Sequence, residues 1–338
     1  MKISVIITAY NRERTIEACV RSVASQNFDD AEIIAVDDGS SDCTADILKG
    51  LAAEIPALRV FTQANAGVGA ARNAGLAAAA GDYVTYLDSD DTMTADALKR
   101  MSSAIEEYRA VRAREDKGFG DSIKSDDGPD MLIYEAAAVY PDGSIKPEPT
   151  FRDGRGATRP GILTPAKAML SNPCPWDRLV KKSLYKKAFG DERPFPEGIW
   201  YEDYATMPIL TAAARSIYYI DDKLINYSHS EGSIMRGEGA NAHYADIFAA
   251  TDRLRKALCA DCPAEMTYLA AEHLLISGGK RYLACGDREG MRACAEYMRK
   301  FFADWADNCY IKLEPAKKRA LARLIYKNHY GLLKILGK

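Results

Sequence analysis

The chain has 338 residues, 47% of them hydrophobic and 28% charged, which suits one large globular domain with additions or two domains. Its net charge is −3, from 45 basic and 48 acidic residues, and this balance argues against a nucleic-acid partner. No stretch approaches the roughly 20 apolar residues of a membrane span, and the first residues are typical of a strand, not of a signal peptide. We therefore expect a cytoplasmic protein.

Strand and helix signals alternate over the first hundred residues. Short apolar or β-branched runs predict strands at 3–8, 32–36, 58–61 and 83–87, and the Ala-rich run at 68–80 predicts a helix. Asn11, Ser41 and Thr94 are expected to cap three helices. This alternation predicts βαβ units, that is, an α/β fold with a mostly parallel sheet between helices.

The second half of the chain departs from this rhythm. The charged, Gly-rich stretch 109–130 is expected to loop out, 131–146 to form a hairpin, and 216–227 to form another strand. The rigid segment 173–176 leads into a basic helix, and the pattern is helical from 245 onward. The core candidates in this half are apolar side chains at regular spacing: Ile217, Tyr219, Leu224, Leu254, Leu258, Leu269, Leu274 and Leu275.

The eight cysteines are scattered, and only Cys259 and Cys262 form a CxxC pair. Without a second pair or well-spaced histidines, this pair lacks half of a structural zinc site. We therefore expect the cysteines to be buried thiols in a reducing compartment.

Polar clusters follow three of the predicted strands, at 8–11, 37–40 and 88–91. In an open parallel sheet, ligands bind beyond the carboxyl ends of the strands. Any one of these clusters alone could be a set of caps and turns. Three at the ends of strands in one sheet favour a binding site.

Asp88, Asp90 and Asp91 form the most acidic of these clusters. Three carboxylates within four residues repel one another unless a cation or water screens them. Oxygen-rich sites suit Mg²⁺ or Mn²⁺, which also bind phosphate oxygens and neutralise a departing diphosphate. The alternative is an exposed acidic turn before the next helix.

Four blocks of the sequence resemble glycosyltransferase family 2, in the family's order and at similar spacing: VIITAYNRERTIEACVRSVASQ, AVDDGSSDCTADIL, ANAGVGAARNAGL and GDYVTYLDSDD. The resemblance is strong over the first hundred residues, moderate over 176–233 and negligible afterwards. It implies a GT-A fold, a nucleotide-sugar donor, a Mn²⁺ or Mg²⁺ cofactor and inversion at the anomeric carbon. We expect a GT-A domain at 1–235, with a nucleotide-sugar half (1–108) and an acceptor half (131–235), and then a helical region (236–338).

The resemblance also implies roles in donor binding. The residues expected to line the nucleotide-sugar site are Thr8, Ala9, Tyr10, Asp38, Arg72, Asp88 and Ser89. Within this set, Tyr10 would lie against the base or ribose, and Asp38 would accept a hydrogen bond from the base, such as N3–H of uracil. Arg72 would bind phosphate or a carboxylate of the site, the alternative being a structural salt bridge to one of the aspartates. Asp88 would contact the ribose or the metal, and Asp90 would bind the metal.

For the acceptor side, the family places a general base at an acidic pair that corresponds to Glu202 and Asp203. Asp203 is the favoured base, because a weakly nucleophilic hydroxyl needs a carboxylate to take its proton. The alternative is an acidic helix N-terminus. His229 lies where some relatives present a residue to the metal or diphosphate, the alternative being a surface or packed imidazole, and Arg236 could reach the diphosphate. Trp176 and Asp177 could line the acceptor pocket, or the tryptophan could be in the core.

The C-terminal stretch 316–338 carries seven basic residues, no acidic ones, and an apolar face at helical spacing. Such a helix can lie on an anionic membrane, or it can dock on its own domain.

The expected activity is metal-dependent, inverting transfer from a UDP-sugar to a hydroxyl of a glycan or lipid-linked acceptor, in cell-surface polysaccharide synthesis. The alternatives are a nucleotidyltransferase and a non-catalytic nucleotide-sugar-binding module. A dinucleotide-binding oxidoreductase is excluded, because Arg72 takes the place of the third glycine of its motif.

Overall fold

A computed structural model describes residues 1–115, 127–151, 159–229 and 242–332. Ten strands form one sheet: β1 (Ile3–Ala9), β2 (Ala31–Asp37), β3 (Leu58–Thr62), β4 (Tyr83–Asp88), β5 (Thr92–Met93), β6 (Met131–Val139), β7 (Ile145–Glu148), β8 (Gly161–Leu163), β9 (Arg178–Lys181) and β10 (Ile217–Ser228). The sheet order is β3-β2-β1-β4-β9-β6-β10-β5, with β7 paired to β6 and β8 paired to β10.

Helices connect the N-terminal strands and make up the C-terminal region. In chain order they are α1 (Ile16–Ala24), α2 (Thr44–Glu54), α3 (Val68–Ala78), α4 (Ala97–Glu115), α5 (Pro165–Ala168), α6 (Lys182–Phe189), α7 (Met207–Ala213), α8 (Asp246–Leu258), α9 (Pro263–Ala270), α10 (Gly278–Ala284), α11 (Arg288–Phe301), α12 (Cys309–Lys312) and α13 (Ala316–Tyr326). A π-helical turn, Ala271–Ser277, joins α9 to α10. The predicted alternation, the hairpin of β6 and β7 and the helical C-terminal region are confirmed.

The register of the sheet brings the polar strand ends together. Strand β1 is parallel to β2 and to β4, and Thr8 lies between Val36 on one side and Asp88 on the other. The short strand β9 is antiparallel to both β4 and β6 and so joins the two halves of the sheet. All three polar clusters therefore lie at one edge of the sheet, as in other open parallel sheets.

Three apolar cores hold the chain together. One lies on each face of the sheet, and both include alternate residues of β1, such as Ile7 on one face and Ile6 on the other. The third core fills the C-terminal helical region and also takes in Tyr204 and Ala205. All eight core candidates of the second half are buried.

The capping predictions at Asn11, Ser41 and Thr94 are wrong. Helix α1 begins at Ile16, and Asn11 has a left-handed backbone (φ 53°) with its carboxamide oxygen accepting hydrogen bonds from the amide and the hydroxyl of Ser41. The Thr94 hydroxyl donates to the carbonyl of Lys223 in β10, at 3.2 Å. These side chains are satisfied across loops, so they are not available at the helix ends.

The loop expected at 109–130 is wrong for its first seven residues, because α4 continues to Glu115, and residues 116–126 lie outside the described residues. Opposite charges three residues apart, as in the Arg109–Glu106 ion pair at 2.5 Å, stabilise the charged side of this helix. Residues 109–115 are therefore part of a helix and not of a loop.

The cysteine prediction is partly wrong. All eight are free thiols, and Cys19 and Cys294 are buried as expected, but Cys43, Cys259 and Cys309 are exposed.

Within the described residues, no helix is long and apolar enough to cross a bilayer. The apolar face of α13 is docked on the chain itself, since Leu321 and Ile325 are buried in the third core. Residues 333–338 of the basic stretch lie outside the described residues.

Candidate active site

The end of β1 offers a surface for a planar ligand. Tyr10 is 46% exposed and follows the buried residues Thr8 and Ala9 directly. Thr8 is paired with Asp88 of β4, and neighbouring residues of paired parallel strands point to the same face. Tyr10, Thr8 and Asp88 therefore lie together, as the donor-site prediction requires.

Asp38 is already engaged within the protein. Its carboxylate accepts hydrogen bonds from the Gln63 side chain (2.7 Å) and from the amides of Ala66 (3.0 Å) and Gly67 (2.8 Å). These bonds hold the loop that leads from β3 into α3. A carboxylate has about four acceptor positions, and three of those of Asp38 are used within the protein. Contact with the base stays a prediction, and the support of this loop is a role that the sequence did not reveal.

The acidic cluster after β4 divides into two kinds of residue. Asp91 is buried and its Oδ1 accepts a hydrogen bond from the Ser228 amide (2.7 Å), so it joins the end of β4 to the end of β10. Asp88 and Asp90 are partly exposed. Burial and the neighbouring Asp88 raise the pKa of Asp90, and Arg12 offsets only part of this effect. Asp88 and Asp90 thus form an anionic edge, while Asp91 supports it.

Arg72 connects the two halves of the site. From α3, its guanidinium donates to Glu202 Oε1 through Nη1 and to Asp88 Oδ1 through Nη2, the latter at 3.1 Å. Its side chain is 5% exposed. Burial alone would lower the pKa of Arg72, but Glu202, Asp88 and Asp203 raise it, so the guanidinium stays charged. The salt bridge that was the alternative to phosphate binding is therefore present, and it spans 130 residues of sequence.

A glycine lets the acceptor half approach α3. A Cβ at Gly69 would lie 2.3 Å from the carbonyl oxygen of Pro196 and 3.5 Å from Cβ of Glu202. Any larger residue at 69 would push the 196–202 segment away. The absence of a side chain thus allows Glu202 to reach Arg72.

Asp203 lies beside this ion pair and has different surroundings. One of its oxygens accepts a hydrogen bond from the Tyr204 amide, at 2.6 Å. Burial, and then the negative charge of Glu202, raise the pKa of Asp203, while Arg72 acts in the opposite direction. A carboxylate with a raised pKa is a better proton acceptor than an ordinary one. Helix α7 begins only at Met207, so the pair lies in the turn before it.

The structure corrects one prediction about the acceptor pocket. Asp177 is fully buried and ion-paired to Arg178 at 3.2 Å, so it cannot line a pocket. Trp176 is 6% exposed and stacks on Tyr227, which agrees with its alternative place in the core.

His229 packs against the rings of Tyr140 and Tyr227, with ring centroids 4.3 and 5.2 Å away. The bond from Ser228 to Asp91 places His229 next to the acidic edge. Its role as a ligand stays a prediction, and Arg236 lies outside the described residues.

The sequence pattern missed the partners of the acidic pair. Trp200, Tyr201 and Tyr204, which surround Glu202 and Asp203 in the chain, all contact the C-terminal helical region. Their aromatic character was visible, but their contacts lie up to 80 residues away. No local pattern encodes such pairs.

Comparison with known proteins identifies similar glycosyltransferases. Residues 4–127 match the model of glycosyl transferase family 2. Glycosyltransferase GlyG of Streptococcus pneumoniae is 28% identical over 238 residues, which are 70% of this chain and 73% of GlyG. The putative glycosyltransferase EpsH of Bacillus subtilis is 34% identical over 134 residues, 39% of each chain.

Among solved structures, residues 1–349 of S. aureus TarS, in complex with UDP-GlcNAc, match 99% of this chain and 90% of that chain. The TM-score is 0.70 at 21% sequence identity, which confirms the GT-A α/β fold with a helical C-terminal region. The blocks at the strand ends, the fold and the relatives agree. Residues 4–127 match the glycosyl transferase family 2 model, and the chain is a glycosyltransferase with a GT-A fold.

Proposed function

We propose that this enzyme transfers a sugar from a UDP-sugar to a hydroxyl of a glycan or lipid-linked acceptor, with inversion, in cell-surface polysaccharide synthesis. The observation that carries the proposal is the bridge made by Arg72 between Asp88 on the donor side and Glu202 on the acceptor side. This bridge holds the donor edge and the acidic pair in one site. The TarS structures with UDP-GlcNAc and with UDP support a uridine donor.

In the proposed reaction, Tyr10 stacks on the nucleoside and the acceptor hydroxyl attacks the anomeric carbon from the side opposite the diphosphate. The new C–O bond forms as the bond to the diphosphate breaks, and the hydroxyl proton passes to Asp203. Glu202 stays paired with Arg72 and positions its neighbour. The products are the glycosylated acceptor and UDP, and Asp203 later returns its proton to water.

The acidic edge fits a divalent cation when a diphosphate is present. The described residues contain no group of three His, Cys, Asp or Glu side chains that could hold a metal by themselves. Mg²⁺ is commonly held by one or two carboxylates together with substrate phosphates, and Asp88 and Asp90 are two partly exposed carboxylates that suit this arrangement. We propose that these two residues hold Mn²⁺ or Mg²⁺. The ion would neutralise charge that develops on the leaving diphosphate.

A panel of nucleotide sugars tests the proposal directly. With MnCl₂ and a mixed glycan acceptor, we expect release of UDP from one or more UDP-sugars, with UDP-GlcNAc tried first. Nucleoside diphosphate distinguishes transfer from nucleotidyl chemistry, which would release pyrophosphate. Binding of UDP-sugars without any product would instead identify a non-catalytic binding module.

We also propose a peripheral location on the inner face of the cell membrane. Lys317 and Arg323 on α13 and Lys327 directly after it are exposed, while the apolar face of α13 is docked, so the contact with anionic lipid would be electrostatic. Each basic residue near such a surface contributes about 1 kcal/mol.

Replacing all three basic residues by Gln should lower flotation with phosphatidylserine vesicles at least tenfold, and 0.5 M salt should lower flotation of the parent to the same extent. Equal flotation of variant and parent would contradict this location. The matched control is the triple change of Lys49, Lys99 and Lys256 to Gln, which removes the same charge elsewhere.

A further inference from the structure

The acidic pair lies on a segment with two opposite faces. In the 200–204 segment, Glu202 points to Arg72 in the GT-A domain. Trp200, Tyr201 and Tyr204 instead contact the helical region that follows residue 242. The position of the catalytic carboxylates therefore depends on what holds the aromatic side chains.

The aromatic face is held by several specific contacts. The Trp200 amide donates to Asp246 at 2.9 Å, and its ring stacks on His243 with centroids 5.0 Å apart. Tyr204 is buried and stacks on His273 at 3.9 Å. Both ends of the segment are thus fixed to the helical region.

The middle of the segment depends on Arg281. Its Nη1 donates to the Tyr201 hydroxyl at 2.7 Å, and its guanidinium carbon lies 5.3 Å from the centre of the same ring. Tyr201 has φ 65°, a left-handed conformation that is an outlier for a bulky residue and persists only when its surroundings enforce it. Tyr201 directly precedes Glu202, so relaxation of its backbone would redirect both carboxylates.

Arg281 is itself placed by close helix packing. A Cβ at Gly279, two residues earlier in α10, would lie 2.3 Å from Cδ1 of Ile325. Helix α10 is therefore in direct contact with α13, and Arg281 projects from a fixed support.

We infer that Arg281 is a positioning residue for the reaction: by binding Tyr201 it holds the strained turn that aims Asp203 at the acceptor. This inference rests on the proposed role of Asp203 as the base. The C-terminal helical region then contributes to the active site by fixing the turn that carries Asp203.

The test compares Arg281→Gln, Arg281→Lys, Tyr201→Phe and the double variant Arg281→Gln/Tyr201→Phe in the full chain. Because a misplacement of 1 Å can cost about a hundredfold in rate, we expect Arg281→Gln to lower kcat by roughly ten- to a hundredfold. Donor affinity, measured by calorimetry with UDP, should stay within about twofold, since the donor edge is untouched. Arg281→Lys should recover part of the rate, and the double variant should be no slower than the slower single variant.

Arg299→Gln is the matched control. Arg299 lies in the same region, where its guanidinium carbon is 5.2 Å from the centre of the Tyr326 ring and its Nη2 donates to the Tyr326 carbonyl on α13. It should keep the parent kcat. Equal kcat values for Arg281→Gln and Arg299→Gln would overturn the inference, as would a fall in kcat matched by a fall in donor affinity.

Hydrogen exchange separates this inference from the proposed function. Amides 200–206 should exchange at least tenfold faster in Arg281→Gln than in the parent and in Arg299→Gln. If the parent transferred no sugar from any donor, faster exchange would still support the positioning role, and the proposed function alone would fail. Unchanged exchange would overturn the positioning role.

Discussion

Asp203→Asn should lower turnover by roughly two to four orders of magnitude, the usual contribution of a general base, and leave donor affinity unchanged. The reason is that the amide cannot accept the proton of the acceptor hydroxyl, while Tyr10 and the donor edge are untouched. The measurement is single-turnover transfer with saturating donor, together with UDP binding by calorimetry. Asp252→Asn, a carboxylate in the C-terminal helical region that is paired with Arg255 at 2.7 Å, is the matched control and should keep the parent rate.

The pH dependence follows from the surroundings of Asp203. Its pKa is raised by burial and by Glu202, so turnover should fall as the pH drops through a value above the ordinary range of a carboxylate. The folded state binds this proton more tightly than the unfolded state, so the residue's contribution to stability is present at low pH and is lost as the pH rises through the raised pKa. Asp203→Asn should therefore melt no earlier than the parent at pH 8, which excludes unfolding as the cause of its lost rate.

Glu202→Gln distinguishes the two members of the pair. It should be milder in turnover than Asp203→Asn, but it removes one partner of the buried Arg72 and should lower the free energy of unfolding by about 3 kcal/mol. If Asp203→Asn transferred sugar at the parent rate while Glu202→Gln was inactive, the roles would have to be exchanged.

Asp90→Ala should abolish turnover and leave the fold intact. A bound metal contributes several kcal/mol of charge stabilisation at the leaving diphosphate, equivalent to about a thousandfold in rate. Excess EDTA should inactivate the parent to the same extent, and added Mn²⁺ or Mg²⁺ should restore it. The measurement is UDP release across a metal titration, with thermal melting to follow the fold.

The neighbouring aspartate provides the comparison. Asp91 is buried and binds the Ser228 amide, and an asparagine keeps that acceptor oxygen. Asp91→Asn should therefore keep most of the activity, whereas Asp91→Ala leaves the amide unsatisfied and should cost about 1–3 kcal/mol of stability. Full activity of the parent in excess chelator would refute the metal proposal.

Much of the fold and part of the site could be read from the sequence, because both depend on local patterns. Short apolar runs identified β1 to β4, and the polar residues that follow such runs must meet at the carboxyl edge of a parallel sheet. The same logic gave Thr8, Asp88 and Asp90 a shared location, which the register confirms for Thr8 and Asp88.

What could not be predicted depends on long-range contacts. Arg72 binds Glu202, which is 130 residues away in the sequence, and Asp38 binds amides of the 63–67 loop. The local sequence around Arg72 or Asp38 does not indicate either partner. The backbone conformation of Tyr201 could not be predicted either. An aromatic residue with positive φ contradicts local propensity and is stable only through tertiary contacts. Asp91 looked like its neighbours, and only its burial separates it from them.

The two-faced 200–204 segment also limits how relatives can be recombined. A chimera cut at residue 235, the predicted end of the GT-A domain, would separate Trp200, Tyr201 and Tyr204 from their partners on α8, the π-helical turn and α10. Such a hybrid would keep an intact donor site and still lose transfer. A hybrid that exchanges the 200–204 segment together with the C-terminal helices would keep each aromatic residue with its own partner. The segment to exchange between relatives therefore begins near Trp200.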